Sequence, residues 1–576
     1  MESKTWKKEW LTALVIASLT ALLLILPYLL GHTTARPETT YTGLLVNLED
    51  GTYLSAIEQG RMGAWLYTSH FTLEAHEPVF LEGFYLFLGQ IAHLVGLSTV
   101  AMWHLSLFVT DLILFLTIFG FISIFLPSTR QRFTAYFLAL FGAGFDWWHF
   151  PVWLERAAAH EVVPIDLRFP EAHIFYSALT FPHFITGITF ILLVLGLVLS
   201  MLLLPPDSKK RWWLAVGAGA ANLLLGVVYP FLIFLPTAVL GIFYLWLLWG
   251  RFRNGRSLKQ PIHWHARLNW PEIGMMAVVF LIPLPLFLYY AVVFLNSDFL
   301  KTWSQQAYTP SPNPLHYLLT YGPYLFLGIL YPLKMRRAAN RSDGNVTVRM
   351  KTIFLWIWVG AAAFLLYLPL NSQRRYVEGL HIPLVVLATI GFFSVLWPWL
   401  LKTRLLAGLL KRPRYSADGI QQLVIFALIG TVGLTNIYLY SSTLFKLGVE
   451  QPYPLFRPTS EMEAMAWLRT SVEPGDVVLA AYETGSFLPY KTGATVIVGN
   501  QYETADFYSK RQEAAEFFQQ ETTDQWRQNL LAQNNIRYVF VGPQERRLGG
   551  DSITTADYLE PVYQSGEVII YRVISS

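Results

Sequence analysis

Long apolar runs alternate with short polar stretches along most of this chain. Eleven such runs lie near 10–30, 100–126, 133–146, 184–204, 212–229, 231–249, 272–295, 316–333, 352–370, 380–401 and 419–440. Most approach the roughly 20 residues that a helix needs to cross the hydrocarbon layer of a bilayer. The pattern therefore predicts a polytopic α-helical membrane protein with about 11 transmembrane helices. Two intervals interrupt it, 31–99 and 147–183, and read as long outer loops. Within the first, "FLEGFYLFLGQIAHLVGLS" (80–98) is amphipathic but broken, as expected of a helix lying along the membrane interface.

After residue 440 the period changes. "TSEMEAMAWLR" (459–469) predicts a helix capped by Thr459 or Ser460, with Met462, Met465, Ala466 and Leu468 inward. "DVVLAAY", "ATVIVG" and "IRYVFVG" read as buried strands, residues 514–535 as one or two helices, and 559–573 as a hairpin turning at Ser565-Gly566. The expected division is a membrane domain over 1–440 and a small extracytoplasmic α/β domain over 441–576. No Gly-x-Gly-x-x-Gly follows a strand, so nothing in the tail points to a nucleotide.

Composition agrees with the pattern. Hydrophobic residues make up 54% of the chain and charged residues 14%, against roughly 25% charged in a soluble domain. Cysteine is absent, which excludes disulfides, a thiolate nucleophile and cysteine-bound metal. Charge sets the orientation. Lys4, Lys7 and Lys8, Arg130 and Arg132, Lys209 to Arg211, Arg251 to Arg267, Lys334 to Lys351 and Lys402 to Arg414 fall in alternate short loops. Short basic loops stay in the cytoplasm, which predicts an inner-membrane protein with its N-terminus inside and its C-terminal domain outside. These basic residues serve topology and give no sign of a nucleic-acid partner. Trp147, Trp148, Trp212, Trp213, Trp246, Trp249, Trp397 and Trp399 mark span ends, where indole rings prefer the headgroup layer.

Candidate chemistry gathers in the outer loops. "VNLEDGTYLSAIEQG" (46–60) puts Glu49 and Asp50 just after the first span and before a short helix. Asp50 suits an N-cap. It equally suits a general base, because Tyr53, Leu54 and Ile57 give that helix a face for the interface, where a lipid-borne substrate meets an aqueous acceptor. In "NSQRRYVEG", Arg374 and Arg375 lie on the outer side, against the positive-inside trend. They read either as anchors on lipid headgroups or as a fork gripping phosphate oxygens. The second loop holds Glu155, His160, Glu161, Asp166, Glu171, His173 and His183. Of these, Glu171, His173 and His183 are candidates to line the substrate site or ligate a divalent cation, although zinc sites normally converge three or four ligands. Asp111 lies deep in the second span, where an ionisable group is costly and so a functional candidate, or a buried group bonded to a neighbouring helix.

"EDGTYLSAIEQGRMGAWL" followed by "FYLFLGQIAHLVGLSTVAMWHL" resembles the first outer loop of the GT-C superfamily of membrane glycosyltransferases, which includes protein O-mannosyltransferases and aminoarabinose transferases. "IRYVFVGPQERRLG" and "VIIYRV" resemble the outer domain of bacterial members. The resemblance implies sugar transfer from a polyprenyl-phosphate-linked donor to an extracytoplasmic acceptor, with membrane lipid as a further partner. It implies Asp50 as catalytic base, with Glu49 beside it or in its place. The loop carries Glu-Asp and no Asp-x-Asp, which leaves a divalent cation and the stereochemical course open. A transporter or lipid carrier and a glycan polymerase or ligase are the competing expectations. A transporter would place its polar groups near the bilayer midplane in repeated broken helices, and no repeat is visible.

Overall fold

A computed structural model of the chain describes residues 2–45, 51–149, 164–255, 269–338 and 346–574. The chain forms two compact units, each discontinuous in sequence. The first comprises Met1–Leu24, Leu107–Tyr289 and Thr309–Ser442, and the second Ile25–Ser106, Tyr290–Tyr308 and Thr443–Ser576.

Among the described residues, nine helices are long and apolar enough to cross a membrane: Thr5–Thr34, Thr99–Phe125, Pro182–Leu203, Lys210–Val228, Pro230–Phe252, Trp270–Asn296, Thr347–Leu365, Gln373–Leu400 and Ala417–Glu450. The protein is a multi-pass membrane protein. The runs at 133–146 and 316–333 fall on the shorter helices Thr129–Phe141, of 13 residues, and Gly322–Ala338, of 17.

Backbone polarity is satisfied locally in the apolar helices, as lipid requires. Their hydroxyls turn inward as well: Thr117 donates to the Ile113 carbonyl at 2.7 Å, Thr189 to Ile185 at 2.8 Å and Thr389 to Val385 at 2.9 Å. Several charges buried in the first unit are paired. The Arg132 guanidinium lies 2.8 Å from Glu9, and buried Glu272 receives Arg211 at 3.1 Å and Arg251 at 2.8 Å. Sequence reading gave Arg132, Arg211 and Arg251 a purely topological role. They also hold helices together, and removing one partner would strand a buried charge.

The second unit is built on a five-stranded mixed sheet. Two short strands, β1 (Thr39–Tyr41) and β2 (Phe456–Pro458), pair antiparallel in a separate ribbon. The main sheet contains β3 (Val477–Leu479), β4 (Thr495–Val496), β5 (Ile536–Val541), β6 (Leu559–Ser565) and β7 (Val568–Val573), in the order β4-β3-β5-β7-β6. β3 runs parallel to β4 and β5, whereas β7 is antiparallel to β5 and β6. The β6–β7 turn places Gly566 at φ 54, a left-handed conformation that glycine adopts without steric cost. Helices Phe507–Phe518 and Asp524–Gln533 bury Phe517, Phe518 and Leu531 against Val539 and Val541.

Helix Thr459–Ser471 forms as expected and buries Met465 and Leu468, but the expected inward Ala466 is exposed and Ala464 takes its place. Neither Thr459 nor Ser460 caps it. Pro458 occupies the N-cap position without a side-chain cap.

Candidate active site

The 3₁₀ turn Gln373–Val377 carries Arg374 and Arg375. Arg374 donates from Nε to Glu171 Oε1 at 2.7 Å, and Arg375 Nη1 lies 3.6 Å from the same oxygen. Glu171 sits on the 3₁₀ turn Pro170–Ala172 and is only 1% exposed. Burial pushes its carboxyl up, yet Arg375 and Arg374 outweigh burial and hold it below the usual glutamate range. Aromatic faces back both guanidiniums. The Arg374 carbon lies 4.0 Å from the Phe169 ring centroid and that of Arg375 4.9 Å from Phe184. Arg374 uses Nε on Glu171, while its two terminal nitrogens make no hydrogen bond among the described residues.

The other loop candidates separate. His183 is buried at the start of helix Pro182–Leu203, with its ring 4.5 Å from Phe184 and 5.1 Å from Tyr229. His173 packs its ring 4.9 Å from His381 and 5.1 Å from Tyr321. Burial, with His381 nearby, depresses the His173 imidazole well below its usual range, so it is neutral. Glu171 is engaged by guanidiniums and His173 by rings, so these residues do not converge as ligands. No group of three or more His, Asp or Glu residues fit to hold a metal ion occurs among the described residues.

Sequence reasoning missed Asp146 and Glu378. Asp146 and Asp166 are buried and face each other through paired 3.4 Å contacts from each backbone N–H to the other's Oδ2. Thr320 donates to Asp146 at 2.6 Å and Thr435 to Asp166 at 2.9 Å. Burial, and then the Asp146 charge, push the Asp166 carboxyl well above its ordinary value. Asp146 was hidden at the end of an apolar run. Glu378 follows the arginines by only a few residues, is fully buried, and has no hydrogen-bond partner on either carboxyl oxygen. The arginines drew the attention in that segment.

Glu49 and Asp50 lie outside the described residues, as do Glu155, His160 and Glu161. The helix that follows Asp50 is described, as Gly51–Arg61. Tyr53 stacks on Tyr85 at 4.8 Å between ring centroids and lies 6.3 Å from Trp103. Further along the helix, Glu58 accepts from Arg61 at 2.6 Å, Thr99 at 2.5 Å and Arg469 at 2.6 Å. Burial raises the Glu58 carboxyl, but these donors prevail and bring it to about 2. The helix start is held most tightly. A Cβ on Gly51 would lie 2.0 Å from the Ser486 carbonyl oxygen, so only glycine fits. Glu503 accepts from Thr52 at 2.7 Å, Tyr67 at 2.9 Å and Ser69 at 2.5 Å.

A family model described as a family of unknown function, DUF6541, matches residues 167–575. No curated protein matches the sequence. Among solved structures, the chain is similar to the apo oligosaccharyltransferase of Archaeoglobus fulgidus. Identity is 14%, the TM-score 0.53, and the match covers 92% of this chain and 69% of that one. It is also similar to ArnT from Cupriavidus metallidurans bound to undecaprenyl phosphate, with 12% identity and a TM-score of 0.53, over 97% of this chain and 98% of that one. The chain shares the fold of these two proteins, in line with the fold expected from the GT-C resemblance.

Proposed function

Because the chain belongs to the family of unknown function DUF6541, whose description assigns no activity, we propose a function from its fold and its site residues. The protein is a membrane glycosyltransferase that moves one sugar from a polyprenyl-phosphate-linked donor to a hydroxyl-bearing acceptor outside the cytoplasm. The observation that carries this reading is the Arg374–Glu171 pair. A buried carboxylate takes one edge of the guanidinium and leaves the terminal nitrogens to a second anion. A guanidinium held this way suits the oxygens of a phosphate monoanion.

In the reaction, the acceptor oxygen attacks the anomeric carbon while the bond from that carbon to the phosphate oxygen breaks. Asp50, with Glu49 beside it, takes the acceptor proton and passes it to water. The polyprenyl phosphate leaves with the electron pair, and Arg374 and Arg375 stabilise its growing charge. Tyr53 and His183 contribute ring surface for the substrate. Glu171 and His173 orient the arginine-bearing turn.

The reading includes an N-terminus in the cytoplasm, an inner-membrane location, and residues 441–576 outside. A carrier without transferase activity is favoured by one residue, Asp111, which is buried in helix Thr99–Phe125 with Oδ1 unpartnered.

The test is turnover of a polyprenyl-phosphate glycolipid fraction extracted from bacterial membranes, with release of polyprenyl phosphate as the readout. Wild type is expected to release it, and Asp50→Asn, folded and inserted, is not. Asn caps helices about as well as Asp, so full activity in that variant would return Asp50 to a capping role.

A further inference from the structure

Glu58, near the end of helix Gly51–Arg61, is the hub of a basic cluster outside the residues assigned to transfer. Arg61 grips it in a fork, with Nε 2.9 Å from Oε2 and Nη2 2.6 Å from Oε1. Arg469, from helix Thr459–Ser471, donates to the same Oε1 at 2.6 Å. The short helix Leu488–Thr492 brings a third cation, Lys491, whose backbone carbonyl accepts from Arg469 Nη1 at 3.5 Å. Three cations therefore share one carboxylate, and both oxygens of that carboxylate are already engaged. Among the described residues the Lys491 ammonium makes no ion pair. It lies 3.4 Å from the Tyr490 hydroxyl and faces the rings of Tyr490 and Phe487, at 4.6 and 5.6 Å from their centroids.

A half-buried ammonium beside two guanidiniums has lost part of its hydration and is repelled by its neighbours. Burial, opposed by Glu58 and reinforced by Arg469 and Arg457, brings the Lys491 ammonium down to about 8. It still carries its charge at neutral pH. An anion seated among Arg61, Arg469 and Lys491 would cancel the excess positive charge and give Lys491 a charged acceptor.

The surroundings favour a lipid as the source of that anion. Thr99, the first residue of membrane helix Thr99–Phe125, donates to Glu58 Oε2 at 2.5 Å. The cluster thus sits where that helix enters the bilayer, at the level of the headgroups. Met62, Trp65 and Leu66 directly follow Arg61 and are exposed. Helix Gly83–Val95 packs on helix Gly51–Arg61 so closely that a Cβ on Gly60 would lie 2.2 Å from the Leu86 carbonyl oxygen. It adds exposed Phe87, Leu94 and Val95. Apolar side chains beside basic ones suit a bilayer surface, where the first enter the acyl boundary and the second meet phosphates. The Arg61 and Arg469 side chains are 31% and 39% exposed, an open face rather than a closed cage.

We propose that Arg61, Arg469 and Lys491 bind the phosphate of an anionic phospholipid headgroup. That contact seats helix Gly51–Arg61 and the tail helices Thr459–Ser471 and Leu488–Thr492 on the leaflet. The site shares no residue with the Arg374–Arg375 turn and does not depend on the transfer reaction.

The chain has no cysteine, so Met62→Cys gives a single attachment point for a fluorophore beside Arg61. The labelled full-length protein is placed in phosphatidylcholine vesicles holding a small fraction of brominated phosphatidylglycerol, or of brominated phosphatidylcholine as the reference. Quenching then reports which lipid lies next to the label. Phosphatidylglycerol should be enriched there by about tenfold over the bulk, and less so at high salt. Lys491→Gln should lower the enrichment about fivefold, the worth of roughly one basic residue at an anionic surface, without changing the melting temperature. Lys491→Arg should keep it. Should Lys491→Gln fail to fold, Arg469→Gln serves instead with the same expected loss, since it leaves Glu58 the Arg61 fork. Equal quenching by the two brominated lipids, or enrichment unchanged in the charge variants, would overturn the site. Relief of quenching by undecaprenyl phosphate, at fractions where unlabelled phosphatidylglycerol has no effect, would give the cluster to the polyprenyl carrier and overturn the phospholipid assignment.

Discussion

Glu171 binds Arg374 by its Nε edge, through one 2.7 Å hydrogen bond, and Arg375 approaches the same oxygen at 3.6 Å. The carboxylate is 1% exposed, while the two arginine side chains are 21% and 20% exposed. One buried anion thus orients two accessible cations, and the turn keeps positive charge to offer to a ligand.

If that charge clamps a phosphate, changing Arg374 and Arg375 together to Gln removes both charge and fork. The donor concentration needed for half-maximal turnover should rise by about tenfold or more, one charge-assisted hydrogen bond being worth roughly 1.5–3 kcal/mol. Changing both to Lys should recover only part, since an ammonium cannot form the two-pronged contact. Headgroup anchoring would make Lys as good as Arg, with turnover following protein abundance. Unchanged donor dependence in the double Gln protein would remove the clamp.

Gly51 tests the packing of helix Gly51–Arg61. A methyl group there would meet the Ser486 carbonyl at 2.0 Å, a backbone atom that cannot swing aside. Gly51→Ala should lower the melting temperature, by about 1–3 kcal/mol in stability terms as overpacking usually does. A variant that melts like wild type would show that the 486 segment yields.

Glu545 gives a pH signature to the second unit. It is buried, accepts the Ala481 N–H at 2.8 Å and the Gly542 N–H at 2.9 Å, and is pushed up to about 7, chiefly by burial. Its folded value lies above the unfolded 4.5. Its contribution is therefore full below pH 4.5 and is lost as pH rises towards about 7. Melting temperatures from pH 4.5 to 7.5 should fall less steeply in Glu545→Gln than in wild type. Equal slopes would contradict the assignment.

The orientation has its own check. Protease added to intact spheroplasts should trim the chain after residue 440 and leave the loop at 334–351 intact. The reverse pattern would overturn the topology and every outer-face role assigned above.

Much of the architecture was legible because it repeats. Apolar runs are long, lipid imposes one length on them, and nine of the expected spans recur as helices among the described residues. In the tail, β5 was legible as a short apolar run, buried at all but one of its residues, and the β6–β7 hairpin by its two β-rich runs around Ser565-Gly566. The site was legible only in part. Arg374 and Arg375 stood out because outer arginines are unusual, and Glu171 because its loop is rich in carboxylates and histidines. Their pairing was not legible, because 203 positions separate Arg374 from Glu171. Glu503 was invisible for the same reason. Its three partners are ordinary hydroxyl residues, and only the fold brings them together, from 434 to 451 positions away. Ala464 and Ala466 show the limit at short range, since two alanines on one helix carry no signal as to which faces inward.

The central claim is that this chain handles a polyprenyl-phosphate-linked sugar. Native mass spectrometry of the detergent-purified protein tests it most directly, after incubation with undecaprenyl phosphate alongside the lipids that copurify. The account predicts an adduct with the mass of a polyprenyl phosphate or its monoglycoside, displaced by added undecaprenyl phosphate and lost when Arg374 and Arg375 are both Gln. Adducts of bulk phospholipid alone, unaffected by undecaprenyl phosphate or by the arginine changes, would contradict it.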